Sequence, residues 1–272
     1  MEHIALIIVI VLLFGMLLIG APVVMAIGTA ALTYFFIKPG MTASLVVYAH
    51  RLFTGMDSFI YLCIPLFMLS GNLMGKTGLM DKVVDFCKIF VGRLRGGVAY
   101  VNVLASMLFG GISGSALADI AALGPIEISL MESDGYDRDF SAALTATSAI
   151  QGPVIPPSIP AVMFASLTSV SVGAMFVGGL GPGILLGIAQ ILVIYVIGRK
   201  KGFPKGDYHY TVKEAVKITL SSLSAIFMIV LILGGIVSGL FTATEAAAVS
   251  VAYVLILGLI VYRNLTLKDI WD

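Results

Sequence analysis

Long apolar runs alternating with short basic stretches set the frame of this chain. Residues 4–37, 59–75, 141–198 and 218–244 contain no Lys, Arg, Asp or Glu. A helical crossing of a hydrocarbon core takes about 20 apolar residues, so the run 141–198 must hold two crossings. The first run is too long for one span, and Gly20-Ala21-Pro22 is the natural place to divide it. Its halves are short, which predicts tilt or local bilayer thinning. Residues 78–92 carry Asp81, Lys82, Asp85 and Lys88 on one face of an amphipathic stretch, predicting a helix lying along the membrane interface. Pro65 predicts a kink in its span. The stretch "GGLGPGILLG" (178–187) reads as a turn that opens the span 183–198. The expected class is an all-α polytopic membrane protein.

Composition agrees with the pattern. Hydrophobic residues make up 59% of the chain, charged residues 11%, and the mean hydropathy is +1.07. The start "MEHIALIIVIVLLFG" lacks a basic leader and a small-residue cleavage site, so it reads as the first span. A net charge of +1 gives no basis for a nucleic-acid partner. Cys63 and Cys87 make no disulfide framework. The histidines His3, His50 and His209 sit at span ends or in loops, so no histidine-based metal site or catalytic triad is expected and an enzyme is not.

Basic residues set orientation. They concentrate in 76–95, in 199–217, at Arg138, and at Arg263 and Lys268; Lys38 and Arg51 fall elsewhere. Placing these four segments on the cytoplasmic side threads the spans 4–20, 22–37, 59–75, 141–167, 172–198, 218–240 and 244–262 without contradiction. Residues 98–131 are left over, because they begin and end on the same side. Their sequence is interrupted by "GGISGSALAD" (110–119). The expectation is therefore a re-entrant helical hairpin that turns at Gly110 to Ser115. Such non-helical backbone is tolerable at membrane depth only inside protein or beside water, which makes the tip a binding-site candidate. Asp119 is read either as a functional acid within the membrane or as a local cap.

A second interruption, "SAIQGPVIPPSIP" (148–160), places four prolines inside a run that must cross. Proline removes a backbone donor and clashes with the preceding turn. The helix must break, leaving carbonyls such as those of Gly152, Val154 and Pro156 without helical partners. An oxygen-coordinated cation such as sodium can satisfy them, and two broken segments point to a secondary transporter's central site. A layout echo adds to this. "LLFGMLLIGAPVVMAIGTAALTYFFI" (12–37) and "LILGGIVSGLFTATEAAAVSVAYVLILGLIV" (231–261) each run helix, glycine break, small-residue helix, from opposite sides, as inverted repeats do.

At "PLFMLSGNLM" (65–74), "GRLRGGVAYVNVLASMLFGGISGSALADIAALGPI" (92–126), "GYDRDFSAALTATSAIQGPVIPPSIP" (135–160) and "GLFTATEAAAVS" (239–250), the chain resembles the large membrane subunit of tripartite ATP-independent periplasmic (TRAP) transporters. The resemblance implies an elevator-type fold in the bacterial inner membrane, coupled to Na+. The imported organic acid, a sialic acid or C4-dicarboxylate, would be delivered by a periplasmic binding protein, with a small membrane subunit bracing the scaffold. It implies that Ser113, Ser115 and Ser158 face substrate, and that Ser113, Gly114, Gly152, Val154 and Pro156 hold sodium. A citrate-type carboxylate carrier, coupled to sodium or protons and working without a binding protein, is the alternative; a channel is a further class. Topology and resemblance together divide the chain as follows: scaffold spans 1–75, an arm helix 76–97, a transport unit 98–171 (hairpin 98–131, broken helix 141–167), a span 172–198, a cytoplasmic linker 199–217, and the start of a second repeat at 218–272. Ala243 stands where the family often has proline. The family's second hairpin and second broken helix would follow Asp272, so the complete protein is expected to be longer.

Overall fold

The computed structural model describes residues 2–37, 44–206 and 208–266; Lys38 and Lys268 lie outside the described residues. Those residues fold into helices joined by short turns, and the one extended pairing among them is an isolated bridge between Arg95 and Lys205. Two compact units result, Met1–Ser58 and Phe59–Asp272.

The first unit holds α1 (Glu2–Leu18), α2 (Val23–Ile37) and α3 (Ser44–Met56). Gly20 adopts φ +85° between α1 and α2, a left-handed geometry that glycine takes without steric penalty. Small residues Ala26 and Ala30 are buried on α2. The Tyr48 hydroxyl on α3 donates to the Gly28 carbonyl at 2.8 Å. At 17 and 15 residues, α1 and α2 are each shorter than the roughly 20 residues of a full crossing.

The second unit starts with a 3-10 turn (Phe59–Leu62) leading into α4 (Cys63–Lys76). Pro65 therefore occupies the first turn of α4, where its missing N–H has no helical acceptor to lose, and it does not kink a span interior. Helix α5 (Leu79–Val91) is amphipathic, but Leu79, Met80, Val83, Val84 and Cys87 are buried within the protein. Its apolar face meets α6 (Gly97–Ser113) and α12 (Val212–Val237), and Ser222 ties α12 to the Lys82 carbonyl at 2.7 Å. Next along the chain come α7 (Ala116–Ala122), α8 (Gly124–Ser133), α9 (Arg138–Ser148), a 3-10 turn (Ala149–Gln151), α10 (Ile159–Thr168) and α11 (Val172–Lys201). Helix α13 (Ala243–Ile256), continued by a π turn (Leu257–Val261), lies along α4. Its small residues Ala243, Ala246, Ala247 and Ser250 are buried there, and such residues let helices approach closely in membranes. Beyond α13, the Asn264 amide donates to the Thr77 carbonyl.

Among the described residues, four stretches are long and apolar enough to cross a membrane: Phe59–Lys76, Val172–Lys201, Val212–Val237 and Ala243–Val261. Ile4–Leu18, Val23–Ile37, Gly97–Ser113 and Ile159–Thr168 are apolar but shorter. This pattern fits a multi-pass membrane protein.

Two boundaries correct the sequence reading. Residues 178–187 make no turn, because α11 runs unbroken from Val172 to Lys201 with Pro182 inside it. The expected linker 199–217 also shrinks. Arg199 to Lys201 form the last turn of α11, and Lys213 and Lys217 belong to α12. What remains, residues 202–206 and 208–211, folds back on the basic loop after α5. Arg93 donates to the Tyr208 and Tyr210 carbonyls at 3.0 and 2.9 Å, and Arg95 to the Phe203 carbonyl at 3.1 Å. Thr211 then caps α12 through a reciprocal capping box with Glu214.

Candidate functional site

Both interruptions are helix breaks in space, and they lie against each other. The first is tighter than the sequence suggests. Helix α6 continues through Gly110 and Gly111 to Ser113, and the chain reverses over Ser113, Gly114 and Ser115 alone. Gly114 adopts φ +63°, and Ser115 is extended and caps α7, accepting from the Ala118 N–H at 3.4 Å. The second arm of the hairpin is itself divided at Leu123, just before Gly124 and Pro125, into α7 and α8.

Gly110 and Gly111 do not turn the chain; they make room for the second break. A Cβ on Gly110 would sit 2.9 Å from Gly152 Cα, and one on Gly111 would lie 3.5 Å from the Pro156 carbonyl oxygen. At Gly114 a Cβ would collide with the Pro157 carbonyl. The Ile159 N–H reaches the Gly114 carbonyl at 3.4 Å, a direct backbone link between the breaks.

The second break spans residues 152–158, between the 3-10 turn and α10, and contains a cis Pro156–Pro157 bond. Ser158 mirrors Ser115. It is extended, caps α10 by accepting from the Ala161 N–H at 3.2 Å, and donates to the Pro153 carbonyl at 2.5 Å. Behind the break stands α11. A Cβ on Gly179 would lie 2.9 Å from the Val154 carbonyl oxygen, and one on Gly183 would strike the Ile155 side chain. The glycines that the sequence suggested as a turn are a cradle on a continuous helix, spaced four residues apart as small-residue packing requires.

Ser113 is fully buried, with its hydroxyl 3.4 Å from the Ser115 backbone. Gly114, Gly152 and Pro156 meet where the breaks touch, and Ser115 is half-buried beside Gly152. Val154 directs its carbonyl to α11, away from the hairpin tip. Ser158 is 3% exposed and its hydroxyl is engaged inside its own loop. The Pro157 carbonyl, which the sequence reading overlooked, faces the tip directly. This donor set of carbonyl and hydroxyl oxygens suits a hard monovalent cation. Among the described residues no three His, Cys, Asp or Glu side chains cluster to hold a metal.

Below the tip lies a buried polar layer that the sequence reading captured only at Asp119. Asn102 on α6 donates to Thr145 on α9 at 2.7 Å and accepts from Ser148 at 2.7 Å, while Ser106 donates to Ser148 at 3.2 Å. Asp119 and Glu127 border this layer, each 1% exposed. Glu127, an acid inside the apolar stretch "GPIEISLM", was a signal available to sequence inspection. The pairs Asn102/Ser106 and Thr145/Ser148 could be recognised only once α6 and α9 were known to face each other.

Comparison with known proteins places this geometry. The DctM component of the tripartite ATP-independent periplasmic transporters matches residues 10–272. The sialic acid TRAP transporter large permease protein of Vibrio cholerae is 40% identical over 257 residues, covering 93% of this chain and 59% of that protein. The sialic acid TRAP transporter permease protein of Haemophilus influenzae is 39% identical over 272 residues, covering 99% of this chain and 43% of that protein. The C4-dicarboxylate TRAP transporter large permease protein of V. cholerae is 36% identical over 256 residues, covering 94% and 56% respectively. The chain thus spans roughly half the length of these relatives.

Proposed function

Because the chain belongs to the DctM component family of tripartite ATP-independent periplasmic transporters, we propose that it forms part of a large permease subunit importing an organic acid. The relatives are named for sialic acid and C4-dicarboxylates, and either acid carries the carboxylate that such a site must receive. A periplasmic binding protein delivers the acid, a small membrane subunit braces the scaffold, and the complex sits in the bacterial inner membrane.

One observation carries the mechanism: two helix breaks share a backbone interface at Gly110, Gly111, Gly114, Gly152 and Pro157. Peptide oxygens freed from helical pairing in an apolar interior are costly to leave unmatched, by several kcal/mol each. Sodium at this interface, held by the Gly152 and Pro156 carbonyls with the Ser113–Gly114 tip, would match them. Substrate carboxylate would then dock beside Ser115, the most exposed hydroxyl of the three candidates. The hairpin, entering and leaving on one side of the membrane, would move with the broken helix against the scaffold spans as an elevator. Each net positive charge carried inward is worth about 2.3 kcal/mol per 100 mV, so sodium ions in excess of the charge on the acid would concentrate it.

Labelled-acid uptake into proteoliposomes holding the complete complex tests this reading. The account expects uptake that follows an inward sodium gradient and is lost in Ser115→Ala. Uptake indifferent to sodium would overturn the coupling.

A further inference from the structure

The acids Asp119 and Glu127 occupy the second arm of the hairpin, two turns apart, and neither is used by the sodium reading. All four of their carboxyl oxygens are buried without a hydrogen-bond partner. Ser106 stands beside Asp119, and Thr145 beside Glu127. Between those two hydroxyls the contacts are closed. Ser106 donates to Ser148, Ser148 donates to Asn102 Oδ1, and Asn102 Nδ2 donates to Thr145 Oγ1. Ser148 donates to Asn102 Oδ1 and lies 3.0 Å from the Thr145 carbonyl, and the Ser106 hydroxyl stands between Ser148 and Asp119. At the other end, Thr145 accepts from Asn102 and keeps its own proton for Glu127.

Among the described residues, the charged side chain that faces Glu127 is Asp119, of like sign. Glu127 faces Asp119 and the Cys87 thiol of α5. The other titratable groups on the neighbouring elements are Tyr100 on α6, Arg138 and Asp139 at the start of α9, Glu132 at the far end of α8, Cys63 and Lys76 on α4, and Asp81, Lys82, Asp85 and Lys88 on α5, where Lys88 pairs with Asp85 and Lys82 lies over the Tyr262 ring. Arg138 lies 3.5 Å from Glu132 at the exposed end of α8. Two ionised carboxylates in such an interior are strongly disfavoured unless a cation joins them. The neighbouring hydroxyls and amide are already bonded to one another, which leaves no ready-made oxygen cage for a metal ion.

We propose that Asp119 and Glu127 form a proton-binding site within the hairpin, so that at neutral pH the pair carries at least one proton, oriented by the Ser106–Ser148–Asn102–Thr145 chain. The proton sits on a carboxyl oxygen, and no other bond is made or broken. This site stands apart from the sodium reading. A hairpin that carries a proton as well as a cation gives its movement a dependence on pH.

Infrared spectroscopy of the complete protein in a detergent free of ester groups tests the proposal without any transport assay. The carbonyl stretch of a protonated carboxylic acid, taken as the difference between the wild type and a variant lacking both acids, reports the buried pair. The wild type should show this band at neutral pH, and should lose it on alkalinisation as carboxylate absorption grows. The double substitution Asp119→Asn/Glu127→Gln, nearly isosteric with the wild type, should lack the band altogether. A wild-type spectrum without the band, or a double variant that keeps it at full intensity, would overturn the assignment. The wild-type titration decides the matter even where the variant does not fold.

Discussion

The two breaks at the centre of this protein solve one problem by opposite means. The hairpin tip reverses the chain in three residues, relying on the left-handed freedom of Gly114. The break at 152–158 is stiffened by prolines and takes its shape from rings that cannot continue a helix. The consequence for their neighbours also differs. The glycine break needs its own side chain absent, because a Cβ on Gly114 would meet the Pro157 carbonyl. The proline break needs side chains absent from the helices around it, at Gly110 on α6 and at Gly179 and Gly183 on α11. Both then restart a helix in the same way, with an extended serine whose hydroxyl accepts an N–H three residues on. A flexible break and a rigid one, capped alike and pressed together, make a site whose oxygens are held while the chain around them stays short.

That contrast can be broken experimentally at Gly114 first. Gly114→Ala imposes a left-handed alanine, at about 1–2 kcal/mol, and overpacking against Pro157 adds about 1–3 kcal/mol. Thermal unfolding in detergent should show the largest loss of any single substitution in the two breaks; a near-native transition would mean that the tip can re-form away from the proline break.

Next in size is the cradle. Gly183→Leu should push α11 from Ile155 and destabilise by about 1–3 kcal/mol. Gly181→Ala, where nothing lies within 4 Å of the added carbon, should be neutral or stabilising by up to about 1 kcal/mol, as expected of alanine in a helix. Equal effects at the two positions would contradict a one-sided cradle.

The smallest expected effect separates the two serine caps. Ser158→Ala removes both the cap of α10 and the bond to Pro153, so its loss should reach about 1–2 kcal/mol. Ser115→Ala gives up a single long cap contact and should lose about 0.5 kcal/mol, at the low end for N-caps, while removing the most exposed hydroxyl from the site. Stability and uptake measured side by side should therefore rank the two variants differently. Identical ranking by both would deny that the serines have separate jobs.

How much of this was legible in the sequence depended on the residue type. Prolines announced their break because proline has one backbone meaning inside an apolar run. Glycine has two, and sequence alone did not separate them. Gly114 and Gly20 turn the chain, whereas Gly110, Gly111, Gly179 and Gly183 are flat places on helices. Reading the stretch 178–187 as a turn followed from that ambiguity. The layout echo between 12–37 and 231–261 has a local counterpart, since each segment turns on a left-handed glycine, Gly20 and Gly239. Asn102, Ser106, Thr145 and Ser148 stayed invisible because ordinary hydroxyl and amide residues gain meaning only when two helices are placed face to face. The roles assigned to the serines came from family resemblance, and the structure adds what resemblance did not: the Ser158 hydroxyl braces its own loop, and the Pro157 carbonyl faces the tip.

The central claim is that the two breaks share one bound cation. An experimental density map of the complete complex, in sodium and at a resolution that separates ions from side chains, tests it most directly. The account predicts a compact non-protein peak within coordination distance of the Gly152 and Pro156 carbonyls and the Ser113–Gly114 tip. Unbroken helix through residues 152–158, or an interface between the breaks that closes with no such peak, would contradict it.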